Sequence, residues 1–218
     1  MSRNVPRILL TGFDAFGGET INPSWEVVHA LHGQRIGGHL IVARQLPTQF
    51  AGSLRALKAA LREVAPTIVL GVGQAGGRQQ LSLERVAINL QDARIPDNAG
   101  AQPVDEPVVT GAPAAYFSTL PIKAMLEALH AGGVPAAISQ SAGTYVCNHI
   151  AYAMLHLTAN RRGVRAGFMH IPYFPVQAAG ADGVASMAQA EVVRGLRIAL
   201  RTAVATLVDG KIAAGAPH

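Results

Sequence analysis

Apolar residues along this chain follow two rhythms, short continuous runs and longer stretches with a three-to-four-residue repeat. Their alternation predicts a strand–helix chain. Arg7-Ile8-Leu9-Leu10-Thr11 is an apolar run closed by Gly12, which predicts a buried strand followed by a loop over residues 12–18. Asn22-Pro23-Ser24 supplies an N-cap and a proline at the first helical position, and Trp25, Val28 and Leu31 then share one helix face up to Gly33. His39–Leu46 predicts a second strand, closed by Pro47. Over Phe50–Val64, Leu54, Leu57, Leu61 and Val64 line one side and Arg55, Lys58 and Arg62 the other, an amphipathic helix stopped by Pro66. Thr67-Ile68-Val69-Leu70 is apolar throughout, as a central parallel strand should be.

Residues 81–90 alternate at Val86, Ile88 and Leu90 and predict another strand. A long Pro/Gly/Asx stretch over residues 92–107 reads as a loop, and loops of this length in compact domains are often functional. A helix running to His130 turns Met125, Leu126 and Leu129 inward and stops at Gly132-Gly133. Ala136-Ala137-Ile138-Ser139 predicts a fourth main strand, and residues 147 to about 160 a helix. Residues 164–172 predict a fifth strand. A C-terminal helix starts at Asp182-Gly183 and buries Val184, Met187, Val192, Leu196, Ala199 and Leu200.

That order predicts a single-domain α/β sandwich with a mostly parallel, mixed sheet and a hairpin-like insertion near residues 81–110. The domain is expected over residues 1–210, with 211–218 a flexible tail. Composition agrees: of 218 residues 50% are hydrophobic and 14% charged, enough for a full core and too apolar for disorder. The one cysteine excludes an internal disulfide and fits a reducing, cytoplasmic compartment. Met1-Ser2-Arg3-Asn4-Val5-Pro6-Arg7 leads straight into the first strand, so no signal peptide is expected, and the apolar runs are too short or interrupted for a bilayer. The net charge of +5 is scattered over helix faces without interleaved aromatics, which argues against nucleic acid as a partner.

Candidate chemistry centres on the sole cysteine. Ser141-Ala142-Gly143-Thr144-Tyr145-Val146-Cys147 is a small-residue turn running into a helix, so Cys147 sits at or near a helix N-terminus. Free N–H groups and the helix dipole there favour an anion, lower a thiol's pKa and can cradle an oxyanion. A buried structural cysteine is the competing reading. Gly71-Val72-Gly73-Gln74-Ala75-Gly76 matches the dinucleotide fingerprint, but no helix follows it, so it reads as a glycine loop offering Gln74 at a strand's carboxyl end. His170 ends a strand at the same sheet edge, and Glu84 lies upstream. Cys147, His170 and Glu84 together supply nucleophile, base and orienting carboxylate, with an exposed Glu84–Arg85 ion pair as the alternative. No His or Cys spacing suits a metal.

These residues resemble the pyroglutamyl peptidase I family, the pyrrolidone-carboxylate cysteine peptidases. The resemblance covers nearly the whole chain. It rests on Thr11-Gly12-Phe13-Asp14-Ala15-Phe16-Gly17-Gly18 with Asn22-Pro23-Ser24, and on Gly73-Gln74-Ala75-Gly76-Gly77-Arg78 followed by Glu84-Arg85-Val86-Ala87-Ile88-Asn89. Asp92-Ala93-Arg94-Ile95-Pro96-Asp97-Asn98, Val146-Cys147-Asn148-His149 and His170-Ile171-Pro172 complete it. The resemblance implies a Glu84, Cys147, His170 trio and an oxyanion held by Arg94 with the Cys147 backbone N–H. It also implies that Phe13 and Phe16 sandwich a lactam ring, with Asn22, Gln74, Ile95, Tyr145 and Val146 nearby. Ala15 stands where the family often has Pro, and Tyr145 where it often has Phe.

The fold so implied is a phosphorylase/hydrolase-like α/β/α sandwich in a cytoplasmic enzyme, commonly a homotetramer, with no cofactor. The expected activity is removal of N-terminal pyroglutamate from peptides through an acyl-thioester. A pyroglutamyl residue carries no free amine and no side-chain charge, so apolar ring faces and a few amide hydrogen bonds suffice to recognise it. A nucleoside-phosphorylase-like transferase and a non-catalytic ligand-binding relative are the alternatives from other classes.

Overall fold

The computed structural model describes residues 5–179 and 183–215. The chain runs β1 (Arg7–Phe13), α1 (Pro23–His29), β2 (Arg35–Ile36), β3 (His39–Leu46), α2 (Phe50–Val64), β4 (Ile68–Gln74), β5 (Leu81–Glu84), β6 (Val86–Ile88) and β7 (Ala115–Phe117). It continues through α3 (Ile122–Ala131), β8 (Ala136–Ser139), α4 (Val146–Thr158), β9 (Arg165–Ile171), α5 (Pro175–Ala178) and α6 (Gln189–Ala205).

Seven strands form the main sheet in the order β2-β3-β1-β4-β9-β5-β8. Its centre is parallel, β2 and β5 run against their neighbours β3 and β9, and β5 is parallel to β8. The two faces follow from strand alternation. Ile8, Leu10, Ile68 and Leu70 pack with α1, α3 and α6, while Leu9 and Val69 pack with Leu57 and Leu61 of α2 and Ile150 and Met154 of α4. Full burial of each such leucine contributes about 1.5–3 kcal/mol. The result is the α/β/α sandwich with a mixed, mostly parallel sheet.

Caps hold the helices that border the sheet's carboxyl edge. The Asn22 side chain accepts from the Ser24 N–H at 3.1 Å and from Ser24 Oγ at 2.8 Å, while Ser24 Oγ accepts from the Phe13 N–H at 3.0 Å. The cap of α1 thereby fixes the end of β1. Helix α2 has no cap of its own; Asp97, from the long loop, accepts from the Phe50 N–H at 2.8 Å. The loop is therefore tied to the first turn of α2.

Several boundaries differ from the sequence reading, for physical reasons. Strand β1 extends through Gly12 and Phe13, which pair with Gln45 and Leu46 of β3; Gly12 is a strand glycine because a side chain there would meet the Ser24 backbone at 2.6 Å. Strand β4 extends through the supposed glycine loop to Gln74, paired with β9 as far as Ile171. Residues 81–90 break into β5 and β6 at Arg85, whose N–H donates to the Ser139 carbonyl at 2.9 Å. The short β2, β7 and α5 carry too few residues for a periodic signal. Helix α6 starts at Gln189 rather than near Gly183, since the Met187 N–H donates to the Tyr173 carbonyl at 2.8 Å and holds that segment extended. Asp182 lies outside the described residues, as do residues 216–218 of the tail. Within the described tail, the Ile212 carbonyl accepts from Lys123 Nζ and the Ala214 carbonyl from Arg85. No helix among the described residues is long and apolar enough to cross a membrane.

Candidate active site

Cys147 occupies the second position of α4, half-buried at the carboxyl edge of the sheet. The N-cap Tyr145 gives no side-chain acceptor, and the Cys147 N–H finds no backbone acceptor among the described residues. The helix thus presents unclaimed N–H groups beside the thiol, as an oxyanion cradle requires. Below the thiol lies Gly73 of β4. A Cβ there would stand 2.8 Å from Cys147 Sγ and 2.9 Å from the Phe168 ring, closer than real contacts allow. Glycine is therefore what lets α4 seat its thiol on the strand. Gly73→Ala is expected to fold but to displace Sγ and lower kcat roughly 100-fold, the cost of about 1 Å at a reacting atom. Circular dichroism and reporter kinetics check this; an unimpaired rate would show that Sγ has room to spare.

The register brings the histidine to the same face. His170 pairs with Gly73 across β4 and β9, and paired residues of parallel strands point the same way. The Phe168 ring packs beside the His170 ring, centroids 5.1 Å apart. Glu84 ends β5, next to β9, and its Oε1 accepts from His170 Nδ1 at 2.7 Å. A carboxylate can only accept, so Nδ1 carries the proton and Nε2 is left as the basic nitrogen. Both side chains are buried. Glu84 is not the exposed partner of Arg85: Arg85 reaches the Ala214 carbonyl at 2.9 Å, and Glu84 Oε1 instead takes a second bond, from Arg78 at 2.8 Å.

Electrostatics at the pair run against the sequence expectation of an acidified thiol. Burial pushes the Cys147 thiol up to about 12, the Glu84 carboxylate adds to the rise, and Arg78 opposes it. Burial also lowers His170 below its usual 6.5, with the Glu84 hydrogen bond and charge pulling upward and Arg78 pulling down. At neutral pH the resting pair is a neutral thiol beside a neutral imidazole.

Phe13, Phe16, Asn22, Thr48, Gln74, Tyr145, Val146 and Cys147 line one slot. None of these carries a charged side chain at neutral pH. Its free cavity volume is about 20 Å³, room for little more than one water molecule. A ring must therefore part its walls. Phe13 is fixed, 2% exposed and packed on Phe168. Phe16 is half-buried against Tyr145, ring centroids 6.4 Å apart, and precedes Gly17 and Gly18, both at positive φ. Of the two phenylalanine walls it is the less confined by packing. Gln74 Oε1 accepts from Gln177 at 3.3 Å, which leaves the Gln74 NH2 to donate elsewhere.

Arg94 and Ile95 are not in the slot. They line an adjoining cavity with Asp92, Thr144 and the outer sides of Phe16 and Tyr145, where Arg94 is exposed. Thr48 and Arg78 are site residues that sequence reasoning did not single out. Thr48 follows the carboxyl end of β3 and is fixed by its N–H to Asp14 Oδ1 at 2.6 Å. Its position after a parallel strand was the available signal. His149, two positions past Cys147, is buried against Phe50 and lies outside the slot. Among the described residues no group of three or more His, Cys, Asp or Glu side chains is placed to hold a metal ion.

Comparison with known proteins agrees with this geometry. The family model described as pyroglutamyl peptidase matches residues 6–206. A pyrrolidone-carboxylate peptidase of Klebsiella pneumoniae is 55% identical over 211 residues, 97% of this chain and 99% of the relative. The crystal structure of pyroglutamyl peptidase I from Bacillus amyloliquefaciens superposes with a TM-score of 0.93 at 46% identity, covering 96% of this chain and 100% of that one. The pyrrolidone carboxyl peptidase of Thermococcus litoralis gives the same TM-score, 0.93, at 35% identity over 95% of this chain and 99% of that one. With the fold, the cysteine and the match all running the length of the chain, it belongs to the pyroglutamyl peptidase family of cysteine-type hydrolases.

Proposed function

We propose that this chain removes N-terminal pyroglutamate from peptides, with Cys147 as nucleophile, His170 as base and acid, and Glu84 as the group that orients His170. The observation that carries this reading is an uncharged, aromatic-walled slot opening onto Cys147 Sγ. A lactam ring suits such walls, and an ammonium group would lie there unpaired. Cys147 Sγ attacks the exocyclic carbonyl carbon as His170 Nε2 takes the thiol proton. The carbonyl electrons move to oxygen, which the Cys147 N–H stabilises, with Arg94 joining once its exposed side chain swings in. Collapse breaks the C–N bond, and His170 returns the proton to the leaving amine. Water, deprotonated by His170, then attacks the thioester carbonyl; the C–S bond breaks, pyroglutamate leaves, and His170 returns the proton to Cys147 Sγ. Burial favours the neutral thiol, so His170 has to take its proton for attack to proceed.

The test is hydrolysis of a pyroglutamyl-amide reporter against its open-chain glutaminyl-amide counterpart. The lactam is expected to lead by at least ~10³ in kcat/KM, because the open-chain substrate brings a charged amine against phenylalanine faces. Comparable values for the two would overturn the pocket assignment. Phe16→Ala is expected to raise KM more than it lowers kcat. Phe13→Ala should do the same while also costing ~3–5 kcal/mol of stability, because its ring belongs to the core.

The same reading treats residues 1–210 as one catalytic domain in a cytoplasmic homotetramer. The family match over residues 6–206 supports the single domain, the single free cysteine fits a reducing compartment, and light scattering on the purified protein tests the assembly.

A further inference from the structure

We propose that Arg78 is a positioning residue for this reaction, a clamp that holds Glu84 against His170 and joins it to the loop that delivers Cys147. The proposal rests on the reading of Cys147, His170 and Glu84 given above.

Arg78 sits in the turn between β4 and β5, and its two guanidinium arms go to different elements. NH1 donates to Glu84 Oε1 at 2.8 Å, the same oxygen that accepts from His170 Nδ1. NH2 donates to the Ser141 carbonyl at 3.1 Å. That carbonyl also accepts from Ser139 Oγ at 3.1 Å, and Ser141 Oγ accepts from the Gly143 N–H at 3.0 Å. The bonded turn over residues 139–143 leads directly into the first turn of α4 and so to Cys147. One side chain therefore spans the carboxylate and the approach to the nucleophile.

The need for a cation here follows from burial. The Glu84 side chain is only 2% exposed, and its Oε2 is buried with no partner among the described residues. Its ion pairs among those residues are Arg78 and His170, and His170 is neutral in the resting enzyme. A buried carboxylate left with only a neutral imidazole is an uncompensated charge, which favours a proton moving onto the imidazole. A protonated His170 could not accept the thiol proton. Arg78 supplies the compensating charge while remaining 27% exposed, so its own charge keeps contact with water. The charged groups acting on His170 are Glu84 and Arg78, and the same two act on Cys147; Tyr145, at the cap of α4, is the other titratable group coupled to the thiol.

The experiment uses two readouts, the pH profile of reporter kcat/KM and the pH profile of iodoacetamide modification of the chain's single cysteine. Arg78→Met is expected to lower kcat roughly 10- to 100-fold, the worth of a charge-assisted hydrogen bond. It should also move the acid limb of both profiles to higher pH by about one unit, since the cation that held His170 down is gone. Arg78→Lys keeps the charge and loses the fork, so its limbs should stay with the wild type while kcat falls several-fold. Limbs unmoved in Arg78→Met, or Arg78→Lys behaving as Arg78→Met does, would reduce Arg78 to a structural tie and overturn the proposal. If Arg78→Met does not fold, a wild-type kcat in Arg78→Lys overturns it equally. A shifted alkylation profile in a chain that never turns over the reporter would keep the clamp and discard the peptidase reading. Reporter turnover with both profiles unmoved would do the reverse.

Discussion

Cys147→Ala is expected to abolish turnover, a loss of roughly 10⁵- to 10⁶-fold in kcat on the precedent of nucleophile removal in serine enzymes. The loss should be purely chemical. The substitution removes one half-buried sulfur that appears in no hydrogen bond among the described residues, so the melting temperature should change little. Chemical modification gives the same answer on the unaltered chain. With one cysteine in 218 residues, a single alkylating equivalent per chain is an unambiguous endpoint, and inactivation should track modification one for one. The rate of that modification carries further information. Burial pushes this thiol well above its usual pKa, so standing thiolate is scarce at pH 7 and direct attack by it would be slow. Reaction near neutral pH therefore reports proton transfer to His170, and His170→Ala should slow alkylation as well as turnover. Full activity in a completely alkylated sample would remove Cys147 from the mechanism.

The parts of this molecule that sequence patterning reached are those whose side chains repeat. Helix α2 and strands β3 and β8 fall at the expected limits, because one face of each is apolar at the helical or strand period and a Pro or Gly bounds it. The pairing of Cys147 with His170 was expected from a shared sheet edge, and the structure reaches it by a different route: His170 lies near the carboxyl end of central β9, whereas β8 is an edge strand antiparallel to β9, and the 140–145 loop carries the chain from it to the start of α4. What escaped was fixed by neighbours distant in the chain. Gly71 and Gly73 read as loop, yet they are strand residues stripped of side chains so that Phe168, Met154 and Cys147 can pack on them. The exposed Glu84–Arg85 pair, the alternative to Glu84 as orienting carboxylate, is absent because Glu84 is buried on Arg78 and His170 and Arg85 bonds the Ala214 carbonyl instead. Arg78 carried no local signal at all: its partners, Glu84 and the Ser141 carbonyl, lie 6 and 63 positions away. The expected acidified thiol is not found because a helix terminus is visible in sequence and burial is not; burial is the largest influence on this thiol, and it pushes the pKa up.

His170→Ala should be more damaging than Glu84→Gln, and the two should differ in their pH profiles. Removing the imidazole takes away both the base for Cys147 and the acid for the leaving amine, a loss of roughly 10⁴- to 10⁶-fold. Glu84→Gln keeps an oxygen that can accept from His170 Nδ1, and a thiol needs less help than a serine hydroxyl. It should lose roughly 10- to 10³-fold in kcat, less than the ~10⁴ of the corresponding serine-enzyme change. The sign of the pH effect follows from the same carboxylate. Glu84 raises the pKa of both His170 and Cys147, and Arg78 lowers both. Glu84→Gln removes the first influence and leaves the second unopposed, so both limbs of kcat/KM should move to lower pH. Arg78→Met should move them the other way. The acid limb starts below the usual histidine value of 6.5, so the window to measure runs from there downward, with folding checked at each pH. A Glu84→Gln enzyme with wild-type rate and unmoved limbs would leave Glu84 as no more than the ion-pair partner of Arg78. His170 would then have to be held by another group.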